Sequence, residues 1–118
     1  MPHPTAIKAR TRSRLIEVSF DDGSRFELPF EYLRVHSPSA EVKGHGPGQE
    51  VLVTGKQNVM IRAVEPVGQY AVKLVFDDGH DTGLYTWKYL YELGRDREVN
   101  WTRYLQRCAH SAGPSPQR

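Results

Sequence analysis

The chain has 118 residues, of which 38% are hydrophobic, and a formal net charge of +2 at pH 7. This composition supports one hydrophobic core and is too poor in apolar residues for a second independent domain. The single cysteine, Cys108, excludes an intramolecular disulfide, and no apolar run indicates a secretion signal or a membrane span, so we expect a cytoplasmic protein.

The ends of the chain differ from its centre. Residues 1–6 contain two prolines and are predicted to be flexible, residues 7–108 to form one domain, and residues 109–118, rich in Ser, Gly, Pro and Gln, to be a disordered tail. Basic residues alternate near the start at Lys8, Arg10, Arg12 and Arg14. Without interleaved aromatic residues, this pattern favours a solvated edge strand over a nucleic-acid-binding arm.

The first hairpin is predicted between two strands joined by an acidic turn. Leu15–Phe20 alternates with Ile16, Val18 and Phe20 on the inward face. Asp21–Gly23 supplies the turn, and Arg25–Leu28 returns as a strand that carries Phe26 and Leu28.

An internal repeat begins at this turn. Phe20–Gly23 and Phe76–Gly79 are identical and 56 positions apart, and Leu28 and Leu84 keep the same offset. An aromatic-rich segment follows each copy, Phe30–Arg34 in the first and Trp87–Tyr91 in the second. We therefore predict an α+β fold in which two strand–turn–strand–helix units share one small antiparallel sheet, followed by a C-terminal helix.

The connection between the copies is rich in glycine and proline. Residues 36–58 are predicted to be mostly loop, with a possible short strand at Glu50–Thr54. Val59–Val64 is a better strand, and Glu65–Gly68 joins it to the strand that begins at Tyr70. In that strand Val72, Leu74 and Phe76 are predicted to face the core.

Helix signals follow the second turn. Thr86 is predicted to cap a helix that ends at Gly94, with Trp87, Leu90 and Leu93 on its core-facing stripe. Asn100 is predicted to cap the C-terminal helix, which reaches Cys108. Four rings, Tyr85, Trp87, Tyr89 and Tyr91, suggest an aromatic interaction surface, although small domains also use such rings as core.

No catalytic constellation emerges from the motifs. Gly48 and Gly55-Lys56 are spaced wrongly for a phosphate-binding loop, and no histidine has Asp or Glu two residues on, as a non-haem iron site requires. Cys108 has the pattern of a core residue. His80, in the turn Asp78–Thr82, could bind a metal, act as a base or tie the turn together, and we favour the structural role. We therefore predict that the protein is not an enzyme.

Two segments resemble a known family. Leu33–Val42 and Asp78–Tyr85 are similar to segments of a family of unknown function equivalent to the N-terminal domain of gamma-butyrobetaine hydroxylases. The likeness covers Ile7 to Leu93. In the hydroxylases this domain precedes a separate 2-oxoglutarate- and iron-dependent oxygenase domain, which this chain is too short to contain. The resemblance thus implies a non-catalytic protein-interaction or accessory module with an unidentified protein partner.

The resemblance also implies a departure at a metal site. In the hydroxylases three cysteines and the histidine of the Asp-Gly-His element bind structural zinc. Their positions fall here on Ser37, Ser39, Val42 and His80, so only the histidine is kept and we expect neither zinc nor another cofactor. Related domains fused to iron–sulfur carrier proteins suggest an alternative, a metal-binding accessory factor in iron or iron–sulfur metabolism. That alternative requires His80 to meet some of three residues, His36, His45 and Cys108.

Overall fold

The computed structural model describes residues 2–39 and 52–112. The first unit comprises β1 (Pro4–Arg10), β2 (Leu15–Phe20), β3 (Arg25–Pro29) and the helix α1 (Phe30–Val35). The second unit comprises β4 (Ile61–Val67), β5 (Ala71–Phe76), β6 (Leu84–Thr86) and the helix α2 (Trp87–Arg95). A C-terminal helix, α3 (Arg97–Ala112), completes the described fold.

The strands form two antiparallel sheets, one per unit, in the orders β1-β2-β3 and β4-β5-β6. The α+β class, the paired units and the C-terminal helix are confirmed. The single shared sheet is wrong, because each acidic turn closes a three-stranded sheet within its own unit. The units join through side chains: the inner faces of both sheets contribute to one hydrophobic cluster together with α1 and α2.

The strand alternation predicts the core correctly. The inward residues of β2 and β5 are at most 3% exposed: Ile16, Val18, Phe20, Val72, Leu74 and Phe76. The repeat, however, shifts by one residue after the turn. Ile16 pairs with Leu28, whereas Val72 pairs with Tyr85, so Tyr85 takes the buried place of Leu28 and Leu84 points outward. The longer second turn supplies the extra residue.

The helix ends agree with the sequence in part. Thr86 caps α2, since its side chain accepts a hydrogen bond from the Tyr89 N–H at 3.0 Å. Gly94 does not end α2, which continues to Arg95. Asn100 is not a cap, because α3 already begins at Arg97 and the Asn100 amide instead donates to the Tyr32 hydroxyl at 3.0 Å.

Secondary structure extends to both ends of the predicted domain. β1 begins at Pro4, inside the segment expected to be flexible, and α3 runs to Ala112, beyond the expected domain end. Residues 52–54 form no strand, and the rest of the predicted strand Glu50–Thr54 lies outside the described residues. β1 is an edge strand as predicted, although Arg12 and Arg14 lie in the turn that follows it.

Within residues 2–39 and 52–112, no helix has both the length and the apolar character that crossing a bilayer requires.

Candidate functional site

The two acidic turns are built in the same way. In each, glycine takes a positive φ, 88° at Gly23 and 91° at Gly79, which side chains disfavour. The first aspartate of each turn accepts a hydrogen bond from the backbone N–H of the residue that precedes the first strand of its unit. Asp21 accepts a hydrogen bond from the His3 N–H at 3.0 Å, and Asp77 accepts one from the Met60 N–H at 3.0 Å. The repeated motif therefore closes the open end of each sheet.

The second aspartate of each turn reaches the helix of the other unit. Asp22 accepts a hydrogen bond from the Tyr91 hydroxyl of α2 at 2.7 Å. Asp78 accepts hydrogen bonds from Arg34 Nε of α1 at 2.8 Å and from Lys56 Nζ at 2.6 Å. The two turns thus cross-link the units, one by a tyrosine and one by ion pairs.

The ion-paired turn is the more polar and the better shielded of the two. Burial opposes ionisation of Asp78, but hydrogen bonds from Lys56, the His80 N–H and Arg34 outweigh it and lower the pKa of Asp78 to about 2. The Arg34 side chain is 11% exposed and lies over the Phe76 ring, with 5.9 Å between the guanidinium carbon and the ring centroid. A neutral residue in place of Asp78 would leave this cation unpaired.

Next to this cluster lies a buried serine–histidine pair. Ser37 Oγ is 2.8 Å from His80 Nε2, and the two residues are 0% and 6% exposed. Ser37 Oγ also accepts a hydrogen bond from the Ser39 N–H at 3.2 Å, and the hydroxyls of Ser39 and Thr82 are 2.8 Å apart. These contacts fasten the segment after α1 to the loop between β5 and β6.

Gly83 allows the loop between β5 and β6 to lie close to the segment after α1. A Cβ at this position would overlap Ser37 Oγ and crowd the neighbouring Pro38 and Tyr85. Any side chain at residue 83 would therefore push the two segments apart.

The serine–histidine distance is one that a general base and its nucleophile would show, but the environment is different. A nucleophile must meet substrate, whereas Ser37 has no exposed surface and its oxygen already bonds to the Ser39 N–H. In this structure the contact joins the segment after α1 to the loop between β5 and β6, and the structural role of His80 stays a prediction.

The other predicted metal ligands make different contacts or lie outside the residues that the structure describes. His36 turns its Nδ1 to the Tyr32 carbonyl oxygen at 3.0 Å, and Cys108 is half-buried on α3. His45 lies outside the described residues. In the part of the chain that the structure describes, no group of three or more His, Cys, Asp or Glu side chains could hold a metal ion.

The predicted aromatic surface is wrong for Tyr85, which is fully buried and donates its hydroxyl hydrogen to the Leu33 carbonyl oxygen at 2.6 Å. Trp87, Tyr89 and Tyr91 are half-buried, and all three pack against the core cluster. Burial raises the pKa of Tyr89 to about 12. These rings hold the units together more than they face solvent.

Sequence reasoning missed several members of the site. Arg34 and Lys56 were overlooked because the acidic turn gives no sign of which distant cations it meets. Thr82 and Gly83 give no sign in the sequence of the segment after α1 that they contact. An Asp with two cationic partners is a long-range feature that local patterns do not encode.

Comparison with known proteins identifies the family. The family model described as "Gamma-butyrobetaine hydroxylase-like, N-terminal" matches residues 7–91. The chain belongs to this family. No curated protein is significantly similar to it.

Solved structures agree with this assignment. A protein of unknown function of the DUF971 family from Acidithiobacillus ferrooxidans is 43% identical, with a TM-score of 0.67, over 78% of this chain and 92% of its own. Two proteins with NMR solution structures are also similar. The first is 56% identical with a TM-score of 0.81 over 98% of this chain and 85% of its own, and the second is 46% identical with a TM-score of 0.80 over 100% and 94%.

Within this family fold, the described residues do not fit the zinc site that the resemblance implies. Zinc would bind a ring nitrogen of His80 at a distance of about 2 Å, along the lone pair of that nitrogen. Ser37 Oγ stands on the Nε2 side at hydrogen-bonding distance, and neutral serine hydroxyls are weak zinc ligands. Val42, the fourth position, lies outside the described residues, and valine has no donor atom.

Proposed function

We propose that this family member is a non-catalytic module that binds a protein partner through the outer side of α3. The observation that carries the proposal is a row of three shallow depressions along this helix, with volumes of about 800, 420 and 450 Å³. Val99, whose side chain is 59% exposed, lines the first two. A surface with depressions around an exposed apolar residue suits the anchor side chain of another protein.

The attachment of α3 supports the same proposal. Tyr104 is the one buried residue among positions 97–110, and its hydroxyl donates to the Val53 carbonyl oxygen at 2.9 Å. Leu105 is 50% exposed, so apolar surface remains on more than one side of the helix. Cations outnumber acids among the residues that line the depressions, which favours a partner segment that carries acidic residues beside its apolar anchor. The cations are Arg95, Arg97, Arg103 and Arg107, and the acids are Asp96 and Glu98.

The non-catalytic part of the proposal rests on the serine–histidine pair. Ser37 Oγ contacts both His80 Nε2 and the Ser39 N–H, and Ser37 has no exposed surface through which a substrate could reach it. The family match covers the N-terminal domain of the hydroxylases, and the relative from Acidithiobacillus ferrooxidans is described as having unknown function.

Site-specific photo-crosslinking in the native host tests the proposal. A benzophenone amino acid replaces Val99 in one variant and Thr11 in a control, since both positions are exposed and Thr11 lies in the turn between β1 and β2. We expect a discrete crosslinked protein from position 99 that position 11 does not give. Equal products from both positions, or none from position 99, would contradict the proposal.

A further inference from the structure

The two sheets offer a comparison within one molecule. Residues that pair across the strands form rows on the outer face of each sheet, and the rows of the two sheets correspond. Lys8, Glu17 and Glu27 in the first sheet correspond to Glu65, Lys73 and Leu84 in the second. In the neighbouring row, Arg10, Leu15 and Pro29 of the first sheet correspond to Val67, Ala71 and Thr86 of the second.

The outer faces differ in polarity at equivalent positions. Arg10, Ser19 and Glu27 of the first sheet are replaced in the second by three apolar residues, Val67, Val75 and Leu84. The first face is typical of a solvated sheet, with Glu17 in ion pairs to both Arg10 and Arg25. The outer face of the β4–β6 sheet lacks that character.

This apolar face is separate from the core. Val67, Val75 and Leu84 belong neither to the core cluster nor to the residues packed against it. Leu84 is 42% exposed, and Tyr70, in the adjoining turn, is 59% exposed. Val67 and Val75 are half-buried, and Ala71 is buried. An exposed leucine where the sister sheet carries Glu27, beside an exposed tyrosine, indicates a contact surface.

We propose that the outer face of the β4–β6 sheet pairs two copies of this chain. The charges of the face favour a second copy, because it holds one cation and one anion side by side: Lys73 Nζ is 3.2 Å from Glu65 Oε1. A two-fold axis between the residues would set Lys73 of each copy against Glu65 of the other. Such self-complementarity is what a two-fold interface requires.

The size of the face sets the strength of the pairing. The strands β4, β5 and β6 are seven, six and three residues long. With strands about 4.8 Å apart and about 3.3 Å per residue, they give a face of roughly 250 Å². Stable interfaces bury about 800 Å² per partner. We therefore expect a weak dimer, with a dissociation constant on the order of 0.1–1 mM, stabilised chiefly by the apolar residues.

Sedimentation equilibrium from about 0.02 to 2 mM measures this association. The test variant is Leu84→Glu, which places on the second sheet the residue that the first sheet carries at position 27. Leu105→Glu on α3 is the matched control, with the same chemical change at a side chain of similar exposure. We expect at least a tenfold weaker dimer for Leu84→Glu, no change for Leu105→Glu, and unchanged melting temperatures for both.

Charge reversal then tests the two-fold arrangement. Lys73→Glu and Glu65→Lys should each weaken self-association, because each homodimer would face like charges. An equimolar mixture of the two variants should associate again. A wild-type monomer at 2 mM would overturn the proposal, as would dissociation by Leu105→Glu or a mixture that stays monomeric. None of these outcomes depends on the crosslinking result at α3, so the two proposals fail separately.

Discussion

The ion pairs of Asp78 give the most direct test of what joins the two units. The variant Asp78→Asn keeps an oxygen for the His80 N–H but removes the negative charge that pairs with Arg34 and Lys56. The Asp78 side chain is 20% exposed and Arg34 is 11% exposed, so solvent compensates the unpaired guanidinium poorly. The variant should therefore be less stable than the wild type at neutral pH.

The pKa fixes the magnitude and the pH window. The pKa of Asp78 falls from 3.8 to about 2 on folding. Each pKa unit corresponds to about 1.4 kcal/mol, but Asp78 lies at the surface and solvent screens its ion pairs, so the carboxylate contributes roughly 1 kcal/mol to the free energy of unfolding. Because the folded-state pKa is lowered, this contribution is complete above about pH 4 and disappears as the pH falls towards 2.

Urea unfolding followed by tryptophan fluorescence measures the effect. Wild type and Asp78→Asn should differ by about 1 kcal/mol at pH 7 and converge as the pH approaches 2. Asp22→Asn is the matched control at the equivalent turn, where the partner on the other unit is the neutral Tyr91 instead of two cations. A smaller loss is expected there. Equal losses in both variants, or a difference that persists at pH 2, would refute this account of the Asp78 cluster.

Three further predictions concern packing, ionisation and metal. Gly94→Ala should lower stability by about 1–3 kcal/mol in urea unfolding, since its Cβ would overlap the Phe26 ring; an unchanged midpoint would contradict the overlap. Stability should fall as the pH rises from 10 towards 12, because burial raises the pKa of Tyr89, and Tyr89→Phe should reduce that fall. The purified protein should contain no stoichiometric zinc and keep its melting temperature in EDTA; unfolding by chelator would reverse the interpretation of the serine positions. A triple variant should gain zinc-dependent stability by calorimetry. It carries Ser37→Cys, Ser39→Cys and Val42→Cys.

The sequence by itself determined the class, the units and most of the core. Alternation in β2 and β5 predicted their buried faces, and the identical turns predicted the two units, because period-two patterns and turn chemistry act over a few residues. The Thr86 cap is local in the same way, since its hydrogen bond spans three residues.

The same local information failed at the helix ends. Gly94 resembles a helix stop, but its lack of a side chain serves the contact with Phe26, a residue of the other unit. Asn100 resembles a cap, but its amide bonds to Tyr32. The role of each residue depends on a contact with a residue that is distant in sequence, so a propensity scale, which considers only local sequence, assigns the wrong role.

The candidate site was decided by the tertiary structure. His80 was identified from its turn, and its partner Ser37 was identified as a changed zinc position, but only the fold brings them within 2.8 Å in a closed environment. The partners of Asp78 lie 44 and 22 positions away. Ion pairs and hydrogen bonds depend on positions in space, which the sequence specifies through the whole fold rather than through any short segment. The division into two sheets also belongs to the tertiary structure, because the units meet through side chains of the core and not through strand pairing.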